Sequence, residues 1–573
     1  MTIKLRISSL VDSYKIGMNK LHNHNFFEDS PTKVLGSYSN FTARKNTYFD
    51  FSEQSDGKLV ICGTRHTFQY IHELFQVFFE ENVCKVEDMI AEELSAHFGG
   101  DPYRDHIEFI NDIKRLHSLG YLPLEVRAID EGTRYPIGLP IFTVKSTVDG
   151  FGWVVNNIET IASNTFYPMT NCATIIDQFY QQAKFYGELS TPKEILDLWL
   201  PICVHNFEAR GMFGTEHSLR AGLASCIPFI GSDTFGTMRF AEQYYDYDFK
   251  LNPIAVSVRA SEHADISRLL AEFRYRGITE DTELEVIKKL AEHTNGIFSY
   301  VSDTENYYRT IYDYSKAAKE YILNRKDGSN GLPAKWVWRP DSSAKHPLEV
   351  ICGDFMVAPN TDSYSWDLVK DNGYDWALID NKFHKVVLDK GYIKSFVEYD
   401  YKDVPLEVKG SLNILWEVFG GEEMETPSGV LRFINPKVGL IYGEAISIEH
   451  QKEIYERMIE TGYSVSNLVI GKGSYANLKG NTRDLFSMSF KQTFSLAEID
   501  GEVVNLEQQK TPMGDQSKKS AKGLLMVDEG FNLYQEVSPE QEREGVLTLL
   551  YRDGVMVKQQ SIYDIKDRYF SYD

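Results

Sequence analysis

Short apolar runs recur through the middle of the chain, and each ends in a polar or glycine-containing turn. Helical periodicity follows two of the runs, over residues 265–277 and 448–462. Nearly continuous apolar strands that alternate with helices are typical of a parallel sheet. Seven such units favour a (β/α) barrel, and a doubly wound sheet remains the alternative. The runs lie at residues 200–207, 225–233, 253–263, 296–303, 335–341, 438–444 and 467–473.

The two ends of the chain follow a different pattern. Residues 66–83 are predicted to form a helix, and residues 122–147 alternate β-branched and polar positions between Gly and Pro turns. The chain closes on short strands around an Asp553–Gly554 turn. We therefore expect two domains, an α/β domain formed by residues 1–160 together with 490–573, and a barrel formed by residues 161–489.

One interval in the barrel is too long for a single loop. The runs that begin at residues 335 and 438 are about 100 residues apart. Residues 351–408 between them are rich in Asp, Lys, Tyr and Trp and are predicted to form an inserted subdomain. A partner-binding or regulatory role for this insertion is an alternative to a plain structural role.

Charge and composition narrow the possible partners. The chain of 573 residues has 60 Lys and Arg against 83 Asp and Glu, a net charge of −23. It lacks the overall positive field that non-specific nucleic-acid binding needs, so no nucleic-acid partner is expected. Six scattered cysteines without a metal-ligand spacing indicate a reducing compartment. The N-terminal region has no apolar signal segment and no run of 18 apolar residues occurs, so we expect a cytoplasmic protein without a membrane partner.

Candidate chemistry gathers where the predicted strands end. In parallel α/β folds, ligands bind at the carboxyl ends of the strands. Any one of these side chains, taken alone, is more often a helix cap or a hydrogen-bonded structural group. Their convergence on one face of a barrel favours a site. The residues are Phe207, Arg210, Asp233, His263, Asp303, Arg339, Asp341, Gly443, Glu444, Gly471 and Gly473.

Basic residues follow the last predicted strand. The turn Gly471–Ser474 offers backbone N–H groups that could hold a phosphate, and Arg483, Lys491, Lys510 and Lys518 lie downstream. A solvated basic loop is the alternative. Together with the carboxylates, the set suits a phosphorylated sugar with a diphosphate leaving group, whose oxocarbenium-like transition state carboxylates stabilise.

Motifs along nearly the whole chain resemble those of the nicotinamide phosphoribosyltransferase family, within the type II phosphoribosyltransferases, and more distantly those of the nicotinate phosphoribosyltransferases. The resemblance implies an incomplete (β/α) barrel joined to an α/β domain built from both ends of the chain. It also implies a homodimer with shared active sites. The motifs are DSYK (12–15), NIETIASNTFYP (157–168), HNFEARG (205–211), GSDT (231–234), SEH (261–263), VSD (301–303), RPDS (339–342), GKGS (471–474), TRDLFSMSFK (482–491) and KKSAKG (518–523).

The resemblance implies roles for the substrate pocket. The nicotinamide ring is expected between Phe207 and the partner subunit's Tyr14, with the carboxamide on Asp233. An aspartate there would repel nicotinate, so nicotinamide is the favoured substrate. Glu208, where the family has glycine, would alter the pocket entrance. Other implied positions are Arg210 and Arg339 lining the pocket, Asp341 on the ribose hydroxyls, Gly443, Gly473 and Ser474 at the 5′-phosphate, Arg44, Arg483, Ser489 and Lys491 on the diphosphate, and Lys510 and Lys518 at the rim.

The resemblance also implies cofactors and a co-substrate. His263 corresponds to a histidine that ATP phosphorylates, and Asp303 would orient its ring. Mg²⁺ would be held through the phosphates, and Asp341 or Glu444 are its candidate protein ligands. The substrates would be nicotinamide and phosphoribosyl diphosphate, and the product nicotinamide mononucleotide. Two alternatives stay open: nicotinate as the substrate, and a non-catalytic nucleotide-binding or regulatory protein on the same scaffold.

Overall fold

The structure is a computed structural model that describes residues 11–16, 32–341, 345–390, 392–511 and 519–572. Its two largest sheets are a six-stranded parallel sheet and a seven-stranded antiparallel sheet. Each sheet has its own large hydrophobic core. Among the described residues, no helix combines the length and the apolarity that crossing a bilayer requires.

The parallel sheet curls, as the apolar runs predicted. Its strands in spatial order are Val204–Asn206, Leu468–Lys472, Val438–Tyr442, Lys335–Arg339, Ile297–Val301 and Arg259–Ala260. Two isolated parallel bridges extend the pairing beyond the edge strand Val204–Asn206. Asn206 pairs with Ser232, and Gly231 pairs with Val256, which shortly precedes the strand at the other edge, Arg259–Ala260. All seven predicted segments therefore take part in one ring of parallel pairings, rather than in an open doubly wound sheet.

Large aromatic side chains pack on the parallel strands, and helices surround the sheet. Tyr300, Trp336 and Trp338 are fully buried and their rings contact one another. The helices predicted over 265–277 and 448–462 run over His263–Tyr275 and Ile448–Glu460. The other helices of this region are Lys193–Trp199, Thr215–Ser225, Thr237–Tyr245, Thr282–His293, Tyr307–Arg309, Thr310–Tyr314 (a π-helical turn), Ser315–Leu323, Pro347–Cys352, Leu406–Phe419 and Ser474–Leu478.

The antiparallel sheet takes strands from both ends of the chain. In spatial order they are Glu502–Glu507, Met488–Ile499, Thr32–Ala43, Pro140–Ser146, Leu124–Ala128, Thr548–Arg552 and Val555–Met556. The predicted helix over 66–83 is Thr64–Glu80, and Asn82 caps the next helix. The remaining helices of this core are Val83–Phe98, Pro102–Asp105, Ile107–Leu119 and Gly152–Asn157, and short strand pairs lie at Leu59–Val60 with Arg134–Tyr135 and Leu525–Val527 with Leu533–Gln535.

The long helix Glu159–Ser190 joins the two cores. Its first turns pack Phe166 into the antiparallel core, and its later turns pack Phe179 into the barrel core. Arg134 and Asp177 form a buried ion pair at this junction, with a distance of 2.6 Å between Nη2 and Oδ1. The domain boundary near residue 160 stays a prediction, since the helix belongs to both cores.

The region of the expected insertion contains a separate small sheet. Its strands are Met356–Val357, Trp376–Ile379, Lys382–Asp389 and Tyr392–Glu398, and the helix Ser363–Asp371 lies between the first two. Phe355, Trp376 and Phe383 form a minor core there. The hairpin Gly421–Thr426 with Gly429–Ile434 follows the next helix.

The C-terminal helix Ile562–Phe570 supplies a pH-dependent contact beneath the barrel. Lys566 Nζ donates to the carbonyls of Cys226 and Ile227 at 2.6 and 2.7 Å, and burial lowers its pKa to about 8. The folded pKa lies below the unfolded value, so between these two values the unfolded chain binds more protons and stability rises with pH. We expect the stability of the wild type relative to Lys566→Met to rise by about 2 kcal/mol from pH 7 to pH 10.

This expectation is checked by thermal unfolding of both proteins at the two pH values. Lys193→Met is the control, because Lys193 is 80% exposed. The difference in stability between Lys193→Met and the wild type should be the same at pH 7 and pH 10. If the difference in stability between Lys566→Met and the wild type were also the same at both pH values, the expectation would be wrong.

Candidate active site

Asp233 lies at the mouth of the barrel with one carboxylate oxygen occupied. His205 Nε2 and Ser257 Oγ both donate to Oδ1, the first at 2.9 Å. Among the described residues, no donor reaches Oδ2. Burial raises the pKa of Asp233, but the hydrogen bonds from His205 and Ser257 outweigh it, so the pKa lies below its ordinary value. Asp233 is therefore an oriented anion with one free acceptor.

Phe207 lies beside this carboxylate. Its ring centroid is 4.7 Å from that of His205. A Cβ on Gly471 would lie 2.7 Å from Phe207 Cε2, and one on Gly443 would lie 3.1 Å from Gly471 Cα. The glycines at these strand ends are therefore required by the close approach of Phe207 and of the neighbouring backbone.

The loop after Phe207 meets the predicted phosphate turn. A Cβ on Gly211 would collide with Ser474 Oγ, so the two loops are in direct contact. Gly473 precedes the short helix Ser474–Leu478, and a Cβ at this glycine would meet no atom within 4 Å. Arg210 is exposed on the same loop as Gly211.

His263 lies among carboxylates, at the end of the segment that neighbours Asp233 in the ring. Its Nε2 is 3.5 Å from Asp303 Oδ1 and 3.9 Å from Asp341 Oδ2, and its Nδ1 is 3.3 Å from Thr304 Oγ1. Asp303 Oδ2 also accepts from the backbone N–H of Asp341 at 2.9 Å. One carboxylate thus lies within ion-pair distance of the imidazole ring and holds the loop that carries Asp341.

Arg339 acts on both of these neighbouring segments. It donates from Nη2 to the carbonyl of Ser261 at 2.7 Å, and its charge helps to lower the pKa of Asp233. Glu444 follows Gly443 and accepts a hydrogen bond from the phenol of Tyr442, whose pKa is raised by burial first and by Glu444 and Asp303 next. The structure therefore brings Phe207, Asp233, His263, Asp303, Arg339, Asp341, Gly443, Glu444 and Ser474 to one end of the barrel.

A cationic cluster lies on the antiparallel sheet. Burial lowers the pKa of Lys491, and the charges of Arg44, Lys510 and Arg483 lower it further, while Glu159 opposes them. Lys491 pairs with Asn40 across the sheet. The other three cations are close enough to repel Lys491, and a bound anion would relieve this repulsion.

Ser489 and Ser487 adjoin the cationic cluster. The hydroxyl of Ser489 is buried and has no hydrogen-bond partner among the described residues. Arg44 is held by a bond from its Nε to the carbonyl of Ser487 at 3.1 Å. Lys518, predicted at the rim, lies outside the described residues.

Tyr14 belongs to the cationic cluster within its own chain. It is 63% exposed, and its phenol feels the charges of Glu159 and Arg483. The adjacent Lys15 Nζ anchors the segment through Glu159 at 2.5 Å and the carbonyl of Asn156 at 2.7 Å. The face-to-face placement of Tyr14 and Phe207 across two subunits stays a prediction, because a single chain is described.

The expectation for Glu208 was wrong. Glu208 is fully buried beneath the mouth and bonded to Lys472, so it does not lie at the pocket entrance. Three contributors carried no role in the sequence-based prediction: His205, Ser257 and Lys472. His205 has a usable signal, because it alternates with Phe207 across Asn206 at the same strand end. Ser257 and Lys472 carry no local signal, since their partners are distant in sequence.

Comparisons with known sequences find relatives in the family that the motifs resemble. A scan against protein-family models finds no match. The nicotinamide phosphoribosyltransferase of Acinetobacter baylyi is 30% identical over 540 residues, 93% of this chain and 92% of that protein. The nicotinamide phosphoribosyltransferase of Xanthomonas campestris is 24% identical over 483 residues, 82% of this chain and 83% of that protein.

Solved structures give more distant similarities. The nicotinate-nucleotide pyrophosphorylase of Pyrococcus furiosus and the human nicotinic acid phosphoribosyltransferase are each 13% identical, with TM-scores of 0.44 and 0.42, and each comparison covers 98% of this chain and 93% of the other. The identity to the Acinetobacter protein, which extends over nearly the full length of both chains, decides the assignment. The chain belongs to the nicotinamide phosphoribosyltransferase family, whose members are pentosyltransferases.

Proposed function

We propose that the protein transfers the phosphoribosyl group of phosphoribosyl diphosphate to nicotinamide, giving nicotinamide mononucleotide and diphosphate in NAD salvage in the cytoplasm. The observation that carries this proposal is the carboxylate of Asp233, which is ionised and oriented at the barrel mouth beside Phe207. Its free Oδ2 is an acceptor for the carboxamide N–H₂ of nicotinamide. The carboxylate of nicotinate would meet a like charge at the same distance.

The pyridine ring is stacked on Phe207, and a second copy of the chain supplies Tyr14 on its other face. This homodimer is supported by the exposure of Tyr14 at the cationic cluster. A flat aromatic ligand gains both apolar burial and quadrupole contact from such a slot. In the dimer, the cationic cluster of one subunit would face the barrel mouth of the other.

The substrate phosphates are held by cations and backbone donors. Arg44, Arg483 and Lys491, with the unpaired hydroxyl of Ser489, take the diphosphate, and Lys510 and Lys518 lie at the rim. The turn at Gly473–Ser474 and the backbone at Gly443 take the 5′-phosphate. Asp341 accepts from the ribose hydroxyls, and Arg210 and Arg339 line the pocket.

The chemical step is a displacement at the anomeric carbon with inversion. The pyridine nitrogen donates its lone pair to that carbon while the carbon–oxygen bond to diphosphate breaks, and the electron pair leaves on the diphosphate oxygen. The positive charge that develops on the ribose ring is stabilised by the carboxylate of Asp341. The site therefore works by alignment and by charge stabilisation, and no proton transfer to the pyridine is needed.

Mg²⁺ accompanies the diphosphate. In the described part of the chain, no group of three or more His, Cys, Asp or Glu side chains is arranged to hold a metal ion. Mg²⁺ usually keeps several waters and uses one or two carboxylates plus substrate phosphates, and the exposed carboxylate of Asp341 fits that need. Glu444 is the second candidate, and its bond from Tyr442 orients it. When bound, the ion would offset charge on the departing diphosphate.

ATP is the co-substrate, and it phosphorylates His263. With Asp303 at Nε2, the imidazole presents Nδ1 as the nucleophile toward the γ-phosphorus, and ADP leaves with the electron pair of the broken bond. Water later attacks the phosphohistidine and releases inorganic phosphate. The neighbouring carboxylate stabilises the cationic ring that forms in the first step.

The proposal is tested by incubation of the protein with phosphoribosyl diphosphate, Mg²⁺ and either base, with and without ATP. Mass spectrometry should show nicotinamide mononucleotide as the main product, with more of it when ATP is present. A higher kcat/KM for nicotinate would favour the nicotinate alternative. Binding without any product from either base would favour the non-catalytic one.

His205→Phe tests how the amide acceptor is held. The variant keeps an aromatic ring beside Phe207 but removes a hydrogen-bond donor that lowers the pKa of Asp233, so that pKa should rise. Nicotinamide affinity, measured by calorimetry from pH 4 to pH 7, should then begin to fall at a higher pH than in the wild type. In Ser257→Ala, the pH at which nicotinamide affinity begins to fall should also be higher than in the wild type. Identical pH profiles for all three proteins would contradict the role given to Asp233.

A further inference from the structure

A buried ion pair beneath the barrel mouth has no part in the reaction described so far. Glu208 and Lys472 are both fully buried, and Lys472 Nζ is 2.5 Å from Glu208 Oε2. They sit at the carboxyl ends of the neighbouring strands Val204–Asn206 and Leu468–Lys472. Two charges lose their hydration at such a place, so the pair persists only where its geometry is favourable and further donors satisfy it.

Three further side chains donate hydrogen bonds to the carboxylate of Glu208. Asn206 Nδ2 donates to Glu208 Oε1 at 2.6 Å and Ser225 Oγ donates to the same oxygen at 3.3 Å, while Asn477 Nδ2 joins Lys472 at Oε2. These donors come from a barrel strand, an outer helix and the short helix Ser474–Leu478. The carboxylate therefore ties together segments that are up to 269 residues apart in sequence.

The tied segments are the two that hold the substrates. Glu208 directly follows Phe207, whose backbone N–H donates to the carbonyl of Lys472 at 2.8 Å. Asn477 belongs to the helix that begins at Ser474, in the phosphate turn. One carboxylate thus fixes the ring-stacking residue relative to the turn that would hold the 5′-phosphate.

We propose that Glu208 is a positioning residue that sets the distance between the pyridine-stacking segment and the phosphate turn, so that the ring nitrogen faces the anomeric carbon. The inference rests on the proposed function, because it concerns the alignment of those two substrates. Neither substrate would touch Glu208. Loss of the pair should therefore reduce kcat, which depends on alignment, more than it raises either KM.

The test uses the double variant Glu208→Gln/Lys472→Met in the full-length protein. Removing both charges avoids a lone buried charge, which would unfold the site for an unrelated reason. We expect a melting temperature within about 3 °C of the wild type. We expect kcat to fall about 10-fold or more, with the KM of each substrate within about 2-fold of the wild type.

Glu208→Asp is the second variant. It keeps the charge but moves the carboxylate by one methylene, so it should lower kcat in the same way. The matched control is Arg134→Met/Asp177→Asn, which removes another buried ion pair, at the junction of the two cores, and should leave kcat unchanged. A kcat within about 2-fold of the wild type in either folded Glu208 variant would overturn the inference. A raised KM at unchanged kcat would overturn it too.

Failure of this inference is distinguishable from failure of the proposed function. The wild type is first assayed with nicotinamide and with nicotinate, and the identity of the product tests the proposed function alone. The ratio of variant to wild-type kcat is then taken with the base that the wild type consumes. A preference for nicotinate would therefore refute the amide assignment and leave the positioning role to be judged by the ratio.

Discussion

Replacing His263 with alanine should abolish the stimulation of product formation by ATP. The imidazole of His263 is the only group in the proposal that takes a phosphoryl group, and the role of Asp303, 3.5 Å from Nε2, is to support the ring. The barrel mouth, the cationic cluster and Asp233 remain intact in the variant. A slow ATP-independent synthesis of nicotinamide mononucleotide should therefore persist.

Three measurements decide this expectation. Product formation is followed with and without ATP, ADP release is followed in the same mixtures, and acid-labile phosphate on the protein is measured with labelled ATP. All ATP-dependent signals should disappear in His263→Ala. His293→Ala is the control, because His293 is exposed at a helix end away from the mouth, and it should behave as the wild type. Undiminished ATP stimulation in His263→Ala would remove the phosphohistidine from the mechanism.

Replacing Asp233 with serine should weaken the preference for nicotinamide over nicotinate. Two like charges about 4 Å apart repel by about 4 kcal/mol at the effective dielectric of a protein surface. Asp233 is 45% exposed, so solvent screening reduces this figure. We expect the ratio of the two kcat/KM values to fall about 30-fold, which corresponds to about 2 kcal/mol.

The serine variant retains a hydroxyl that can accept a hydrogen bond from the amide N–H₂, so nicotinamide turnover should be reduced but measurable. Competition between the two bases in one reaction gives the ratio directly. Asp197→Ser is the control, since Asp197 is an exposed helical residue on the outside of the barrel. If the ratio in Asp233→Ser equals that of the wild type, electrostatic repulsion at residue 233 does not set the substrate preference.

Local patterns in the sequence predicted much of the fold because they report local physics. The apolar runs matched the seven segments of the ring, since a strand buried on both faces needs apolar residues throughout. The helix over 448–462 was found through its periodicity, and its N-terminal cap at Ser447 explains where it begins. The exact split of the long helix Glu159–Ser190 between two cores was not visible, because apolar residues on one helix do not say which core they enter.

Glu208 shows where local reasoning ended. Its neighbours Phe207 and Arg210 belong to the mouth, and Glu208 between them was expected to alter the pocket entrance. Burial instead depended on Lys472, which lies 264 residues further along the chain. A buried carboxylate is stable only beside its partner charge and donors, and no local pattern names a partner at that distance.

The chain by itself determined the strand and helix pattern, the order of the motifs and the kind of chemistry that these residue types can perform, because each depends on residues near one another in sequence. Tertiary structure alone decided that His205 and Ser257 share one oxygen of Asp233, and that Glu208 turns inward to Lys472. These contacts join strand ends that meet only when the parallel sheet curls. The charge state and the direction of a side chain follow from such distant neighbours, since they set its hydration and its hydrogen bonds.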